Sequence, residues 1–308
     1  MRFLNLYYVI KPIIPRRVQI GCRRLIAAYK RKVYHKEWPI QPASAKPPAG
    51  WHGWPENKRF ALVLSHDVDT MRGHDKCLRL MDIELQRGFR SSFNFVPEGY
   101  RVSRDVRQLL KDNGFAVGVH GLTHDGKLFR SRQLFDTKAI RIKDYLKEWS
   151  AAGFHSPSML GDRSWIADLE IEYGCSTFDT DPFEPQPNGV DTIFPFWAEN
   201  TSGTRRYVEL PYTLPQDHCV FVILKEQDIG IWKEKLDWIA KNGGMAFLNT
   251  HPDYMNFDGK TGNFEEYPAD RYIAFLDYVK NKYEGQYWHA LPQEIARFWK
   301  ASGFSSVI

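Results

Sequence analysis

The sequence predicts an α/β protein: a single (β/α) barrel of seven to eight strands, closed or nearly closed, preceded by a basic helical arm. Three observations carry that expectation. From residue 59 onward, short apolar runs alternate with amphipathic stretches of helical period, the signature of βα units and a parallel sheet. Seven or eight such units in roughly 250 residues suit one barrel better than two open sheets. The polar clusters fall just after the expected strands, on the loops where barrels of this kind collect their active sites.

Residues 1–36 form the arm. They contain ten Lys or Arg and no Asp or Glu, which leaves 32 of the 42 basic groups to face all 37 acidic ones in the rest of the chain. The net +5 therefore belongs to the arm, and the body is mildly acidic. Such a segment suits an anionic partner, and its pattern favours lipid over nucleic acid. Val18, Cys22, Leu25, Ile26, Tyr29 and Val33 recur at helical spacing after Pro15, while Arg16, Arg17, Arg23, Arg24, Lys30, Arg31 and Lys32 fill most other positions. That is the pattern of an interfacial helix, and equally of a helix docked on the body with a solvated basic face. Periodicity leaves both open. Phe3 to Ile10 is short, broken by Asn5 and followed by no cleavage site, so no secretion signal is expected. No run reaches the ~18 apolar residues of a membrane span. The expected location is cytoplasmic, with peripheral contact at the inner membrane through residues 1–36.

Residues 37–58 hold five prolines and three tryptophans, a composition that disfavours helix and favours an extended strap. The four cysteines have no paired spacing and read as free thiols. Strands are expected at 59–65, 91–96, 115–119, 153–156, 174–178, 206–211, 244–250 and 286–290. Helices are expected at 74–87, 103–113, 130–150, 229–242, 268–282 and 292–300, with Ser103, Ser131 and Pro292 as start signals. The long segment 179–205 carries no clear element and reads as a loop that shapes a substrate site.

Four clusters follow strands: Ser65-His66-Asp67-Val68-Asp69, His120-Gly121-Leu122-Thr123-His124, His155-Ser156-Pro157 and Asn249-Thr250-His251-Pro252-Asp253. Taken alone, Asp67 and Asp69 read as caps of the next helix, or as the D-x-D with which glycosyltransferases hold a cation. His120 and His124, at i and i+4, can aim two imidazoles at one ion if the segment makes a helical turn, with glycines at 118, 121 and 126 allowing close approach. A strand-end carboxylate and an H-x-x-x-H from another strand end then supply three ligands and leave a fourth position for water.

These motifs resemble, in order, those of the polysaccharide deacetylase family, the carbohydrate esterases with the nodulation-protein homology domain. "SHDVDT" resembles the first motif in its D-x-D variant and "HGLTH" the second, with Gly121 at the hydroxyl position. "GFHSP" resembles the third motif and "LNTHPD" the last. The resemblance implies a deformed (β/α) barrel and metal-dependent removal of an acetyl group from an N-acetylated sugar or glycan precursor. It implies Asp67 as general base and His251 as general acid. The metal ligands would be Asp69, His120 and His124, around a divalent ion, zinc first, with cobalt, nickel or manganese as alternatives. The arginine that orients the base in the family is replaced by His155, with Arg163 as a stand-in from the following turn. Asp179 and Asp181 are the candidates for the acidic partner of the acid histidine. His66 and Tyr212 complete the set expected in support of the site or against substrate. Two other functions fit the same residues: an amide hydrolase acting on a non-sugar small molecule, and a catalytically weakened glycan-binding barrel.

Overall fold

The computed structural model describes residues 14–186, 189–259 and 262–304. The first thirteen residues of the arm, with Arg2, Lys11 and the Phe3–Ile10 run, lie outside the described residues, as do 305–308 at the other end of the barrel segment.

β1 (Phe60–Val68) is buried along its whole length. A strand flanked by others and covered by helices must be apolar on both faces, which is why "FALVL" runs without alternation. It pairs in parallel with β2 (Ser92–Phe95) at its carboxyl end, with β9 (Tyr287–His289) at its amino end, and along its other edge with β8 (Met245–Thr250). From β2 the sheet continues in parallel through β3 (Ala116–His120), β4 (Gly153–His155), β5 (Tyr173–Cys175) and β7 (Arg206–Glu209). After β7 the chain turns back towards β8: the Thr213 and Leu214 amides both donate to the Phe247 carbonyl, at 3.2 and 3.1 Å. Those bonds bring the curled sheet round to its first edge, giving a deformed barrel.

Segment 179–205 is not a loop throughout. β6 (Phe196–Glu199) pairs antiparallel with β7 outside the barrel wall. Proline and glycine in the first half of the segment hid it, because a four-residue strand gives too short a pattern to register.

The arm forms α1 (Arg16–Val33), and the helices that follow along the chain are α2 (Met71–His74), α3 (Cys77–Arg87), α4 (Arg104–Asp112), α5 (Arg132–Glu148), α6 (Arg163–Ile166), α7 (Gly230–Asn242), α8 (Asp270–Tyr283) and α9 (Pro292–Ala301). The Ser103 and Ser131 side chains accept from the Val106 and Leu134 amides, satisfying donors that the first turn leaves free.

The strap lies on the barrel. Trp54 is buried beneath the amino ends of the strands and its Nε1–H donates to the Gly243 carbonyl at 2.8 Å. Trp51, Trp54, Trp288, Phe298, Trp299 and Phe304 pack edge to face and tilted around it. At the opposite end, α1 docks across the carboxyl ends. Ile20 and Ala27 bury against Val222 and Ile223 of the short helix His218–Ile223, and the Arg24 Nε donates to the Val222 carbonyl at 3.0 Å. Val18, Leu25, Ile26, Tyr29 and Val33 are exposed on the other side of α1. The helix therefore docks through one face and keeps its apolar row outward.

Candidate active site

β1 ends one residue before Asp69, and alternation along the strand turns Asp67 into the barrel while His66 points out. His66 sits in a buried polar network between sheet and helices: its Nδ1 lies 2.7 Å from the Thr250 hydroxyl and its Nε2 2.8 Å from Glu84. It therefore supports the strand rather than the reacting groups.

Asp69 meets the imidazoles there. Its Oδ1 lies 3.4 Å from the His120 Nε2 and 3.5 Å from the His124 Nε2, and is buried with no hydrogen-bond partner. One ligand atom from each of the three residues lies within 4.8 Å of the others. An orphaned carboxylate oxygen facing two ring nitrogens is a donor set that a divalent cation satisfies. The His120 Nδ1 lies 3.2 Å from the His155 carbonyl; its N–H donating there leaves Nε2 as the lone-pair nitrogen facing Asp69. The two histidines do not share a helical turn. His120 ends β3, and Gly121, at φ +67°, reverses the chain so that His124 returns beside it, ring centroids 5.2 Å apart. Positive φ there suits glycine, and a Cβ would also meet Pro157 at 2.7 Å.

Asp67 is gripped from three sides. The Asn94 Nδ2 donates to its Oδ1 at 3.0 Å and the Asn249 Nδ2 to its Oδ2 at 2.9 Å, while the His155 Nδ1 lies 3.3 Å from Oδ1. Burial pushes this carboxyl up, but the neighbouring His120 and His155 rings and the hydrogen bond at His155 outweigh it and hold it well below the ordinary carboxylate range. The two amides came from no motif in the sequence. Their one signal was an asparagine inside each of two apolar strands, "SFNF" and "FLNT". Gly118 makes the space: a Cβ there would lie 2.2 Å from the Asn94 Oδ1.

His155 stands where the resemblance placed an arginine, and burial lowers its pKa, favouring a neutral ring. The Tyr212 hydroxyl lies 2.7 Å from its Nδ1, so Tyr212 braces His155 and, being buried, offers no face to a ligand. Arg163 does not replace the missing arginine. It lies over the Phe196 ring at 5.5 Å, on the side of Glu209, and makes no ion pair with Asp67 among the described residues.

His251 follows β8, and its Nδ1 lies 2.7 Å from the Asp217 Oδ1. The other Asp217 oxygen accepts from the His251 amide at 2.9 Å and the Tyr267 hydroxyl at 3.0 Å. Burial would lower the His251 pKa, but the Asp217 charge and hydrogen bond outweigh it and raise it to about 10. Asp217 is the acidic partner that the sequence reading sought in Asp179 and Asp181. Asp179 instead pairs with buried Lys235 at 2.5 Å, and Asp181 caps the Phe183 amide. Nothing in "LPQDH" distinguishes Asp217 from a turn residue.

These groups open into a cavity of about 590 Å³, within the range of small-molecule sites. Asp67, Asp69, His120, His124 and His251 line one part of it, and Phe183, Glu184, His218 and Tyr254 another. α1 supplies a further stretch of the wall, through residues that include Val18, Cys22 and Arg23. Trp165 packs on Phe129 and Phe135, and Phe196 and Trp197 are buried in the core.

No family model matches the chain, and no curated protein does. Solved structures do. A protein described as a polysaccharide deacetylase from Mycobacterium smegmatis is 17% identical, with a TM-score of 0.66 over 85% of this chain and 97% of that one. Puue allantoinase gives 15% identity and a TM-score of 0.64, covering 84% and 95%. A second protein described as a polysaccharide deacetylase, from Pseudomonas aeruginosa PAO1, gives 14% and 0.63, also covering 84% and 95%. At these identities the likeness is one of architecture, and this chain has the barrel fold of the polysaccharide deacetylases.

Proposed function

We propose that the chain is a metal-dependent hydrolase that removes an acetyl group from an N-acetylated sugar or glycan precursor. The observation that carries this reading is the orphaned Asp69 oxygen facing two imidazole nitrogens, with a charged carboxylate and a protonated histidine lining the same cavity. The names of the solved structures with this fold support the acyl chemistry.

Asp69, His120 and His124 would hold the cation, zinc first, since two imidazoles and one carboxylate suit it, with cobalt, nickel or manganese as alternatives. A divalent cation there supplies Lewis acidity to an acyl oxygen and acidity to a water. Asp67, kept ionised by its amide donors and by the two histidines, accepts the proton of the attacking water. His251, kept protonated by Asp217, gives its proton to the departing amine. Asn94, Asn249 and His155 fix the carboxylate in place of a guanidinium.

The outward apolar row of α1, flanked by Arg17 and Lys32, supports peripheral contact with an anionic membrane, as at the inner face of a cytoplasmic membrane. No helix among the described residues is long and apolar enough to cross one. A second reading, an amide hydrolase for a non-sugar small molecule, draws on the likeness to the allantoinase; the size of the cavity favours the sugar.

The test is acetate release from a panel of N-acetylated sugars, nucleotide sugars and lipid-linked glycans with added Zn, Co, Ni or Mn. Release from at least one sugar that vanishes with chelator and in Asp67→Asn is the expected result. Release that survives in Asp67→Asn removes the base assigned here.

A further inference from the structure

The arm is part of the active-site wall. Val18, Cys22, Arg23 and Ile26 of α1 line the same cavity as Asp67, Asp69, His120, His124 and His251. Yet Val18 and Ile26 are 51% and 56% exposed, because they also belong to the outward row with Leu25 and Tyr29. An apolar strip thus runs from the helix surface into a cavity whose other end is carboxylate and imidazole. A water-soluble sugar gives that strip nothing to bury against. Exposing apolar side chains beside a polar reaction centre fits a ligand that is itself amphiphilic.

Arg23 adds the second observation. It is half-buried in this wall, and among the described residues it has no hydrogen bond and no carboxylate within ion-pair distance. The neighbouring cations of α1 are engaged: Arg16 with Glu265, Arg24 with the Val222 and Phe264 carbonyls, and Arg31 with Glu226. Its charge acts on Glu184 in the same cavity, a carboxyl that burial pushes up, yet no hydrogen bond or ion pair among the described residues occupies its planar fork, which suits a phosphate.

We propose that the substrate is an acetylated sugar carried on a long-chain lipid phosphate. The sugar faces the metal corner, the phosphate meets Arg23, and the hydrocarbon chain leaves over Val18, Cys22 and Ile26 towards the outward face of α1. This deepens the deacetylase reading and rests on it for the identity of the headgroup. The arm then does two tasks with one helix, contacting the membrane and guiding an amphiphile from it into the site.

The full-length protein carries its own probe. Cys22 is exposed on the cavity wall, whereas Cys77, Cys175 and Cys219 are buried. The rate of Cys22 alkylation by iodoacetamide is measured with dodecyl phosphate below its micelle concentration, with dodecyl maltoside and with inorganic phosphate. Dodecyl phosphate should slow alkylation about tenfold, at a half-protecting concentration at least about thirtyfold below that of either comparison compound. Arg23→Ala and Ile26→Glu should each raise that concentration about tenfold. Leu25→Glu, outside the cavity, should shift it less than twofold while weakening flotation with anionic vesicles.

Equal protection by dodecyl phosphate and inorganic phosphate overturns the proposal, as does protection by the maltoside that Arg23→Ala leaves unchanged. Turnover separates the two readings. If N-acetylglucosamine on methyl phosphate and on dodecyl phosphate lose acetate with equal kcat/KM, the lipid proposal falls and the deacetylase reading stands. If dodecyl phosphate protects as expected but no acetylated compound is hydrolysed, the amphiphile site stands and the deacetylase reading falls.

Discussion

The two ends of the barrel are finished in opposite ways. At the amino ends of the strands, the strap brings Trp51 and Trp54 against Trp288, Phe298, Trp299 and Phe304; the Trp54 indole N–H is matched to the Gly243 carbonyl, while that of Trp299 is buried with no partner among the described residues. At the carboxyl ends, Asp67, Asp69, His120, His155, Asp217 and His251 crowd together under an arm helix held by a small apolar contact and a few polar bonds. Burying aromatic surface stabilises the fold, whereas burying charge costs stability unless partners repay it. One end therefore holds the barrel closed, and that leaves the other able to keep desolvated, reactive groups.

That contrast can be broken from either end. The largest effect is expected for Asp67→Asn, which should lower deacetylation by roughly 10²- to 10⁴-fold while the melting temperature stays close to that of the parent. Trp54→Ala should do the reverse, costing about 3–5 kcal/mol in denaturant unfolding with kcat/KM of the folded fraction preserved. Loss of activity in Trp54→Ala at temperatures where the protein is folded would mean the two ends are coupled.

Zinc at about one hundred times its dissociation constant should stabilise the protein by about 2.7 kcal/mol over the chelated form, a gain that Asp69→Ala should abolish in thermal melts. A smaller effect is expected at His251. Its pKa is raised to about 10 in the folded protein, above the ordinary imidazole value, so its contribution to stability is complete below about pH 6.5 and is lost as the pH rises through about 10. Activity should share that alkaline limb. In Asp217→Asn the limb should move towards neutral pH, with a rate at pH 8 roughly ten- to thirtyfold lower; a limb that stays near pH 10 would detach Asp217 from the acid. The smallest effect is expected for Leu25→Ser, which should change stability by less than about 0.5 kcal/mol, because that side chain is 76% exposed.

The strand ends were legible where the chain is most regular. β1, β3 and β8 announce themselves as apolar runs that give way to His66 and Asp67, to His120, and to Asn249 and His251, because a buried parallel strand confines such groups to its last residues, where partners can reach them. β6 was hidden among prolines and loop residues. Asn94, Asn249 and Asp217 were invisible for a different reason: an asparagine in a strand and an aspartate in a turn acquire meaning only from what stands opposite, and Asp217 stands 34 residues from the histidine it holds. Asp179 was the plausible wrong choice, since sequence shows an acid near a strand end but not that Lys235 claims it.

The sequence by itself determined the βα alternation, the carboxylates and imidazoles at the strand ends, and the amphipathic period of the arm, since each is written in local spacing that the backbone geometry must obey. Only the tertiary structure decided which face of the arm docks, which amides grip Asp67, and that the arm lines the cavity. Those outcomes depend on which surfaces compete for burial once the barrel has closed, and spacing along the chain carries no record of that competition.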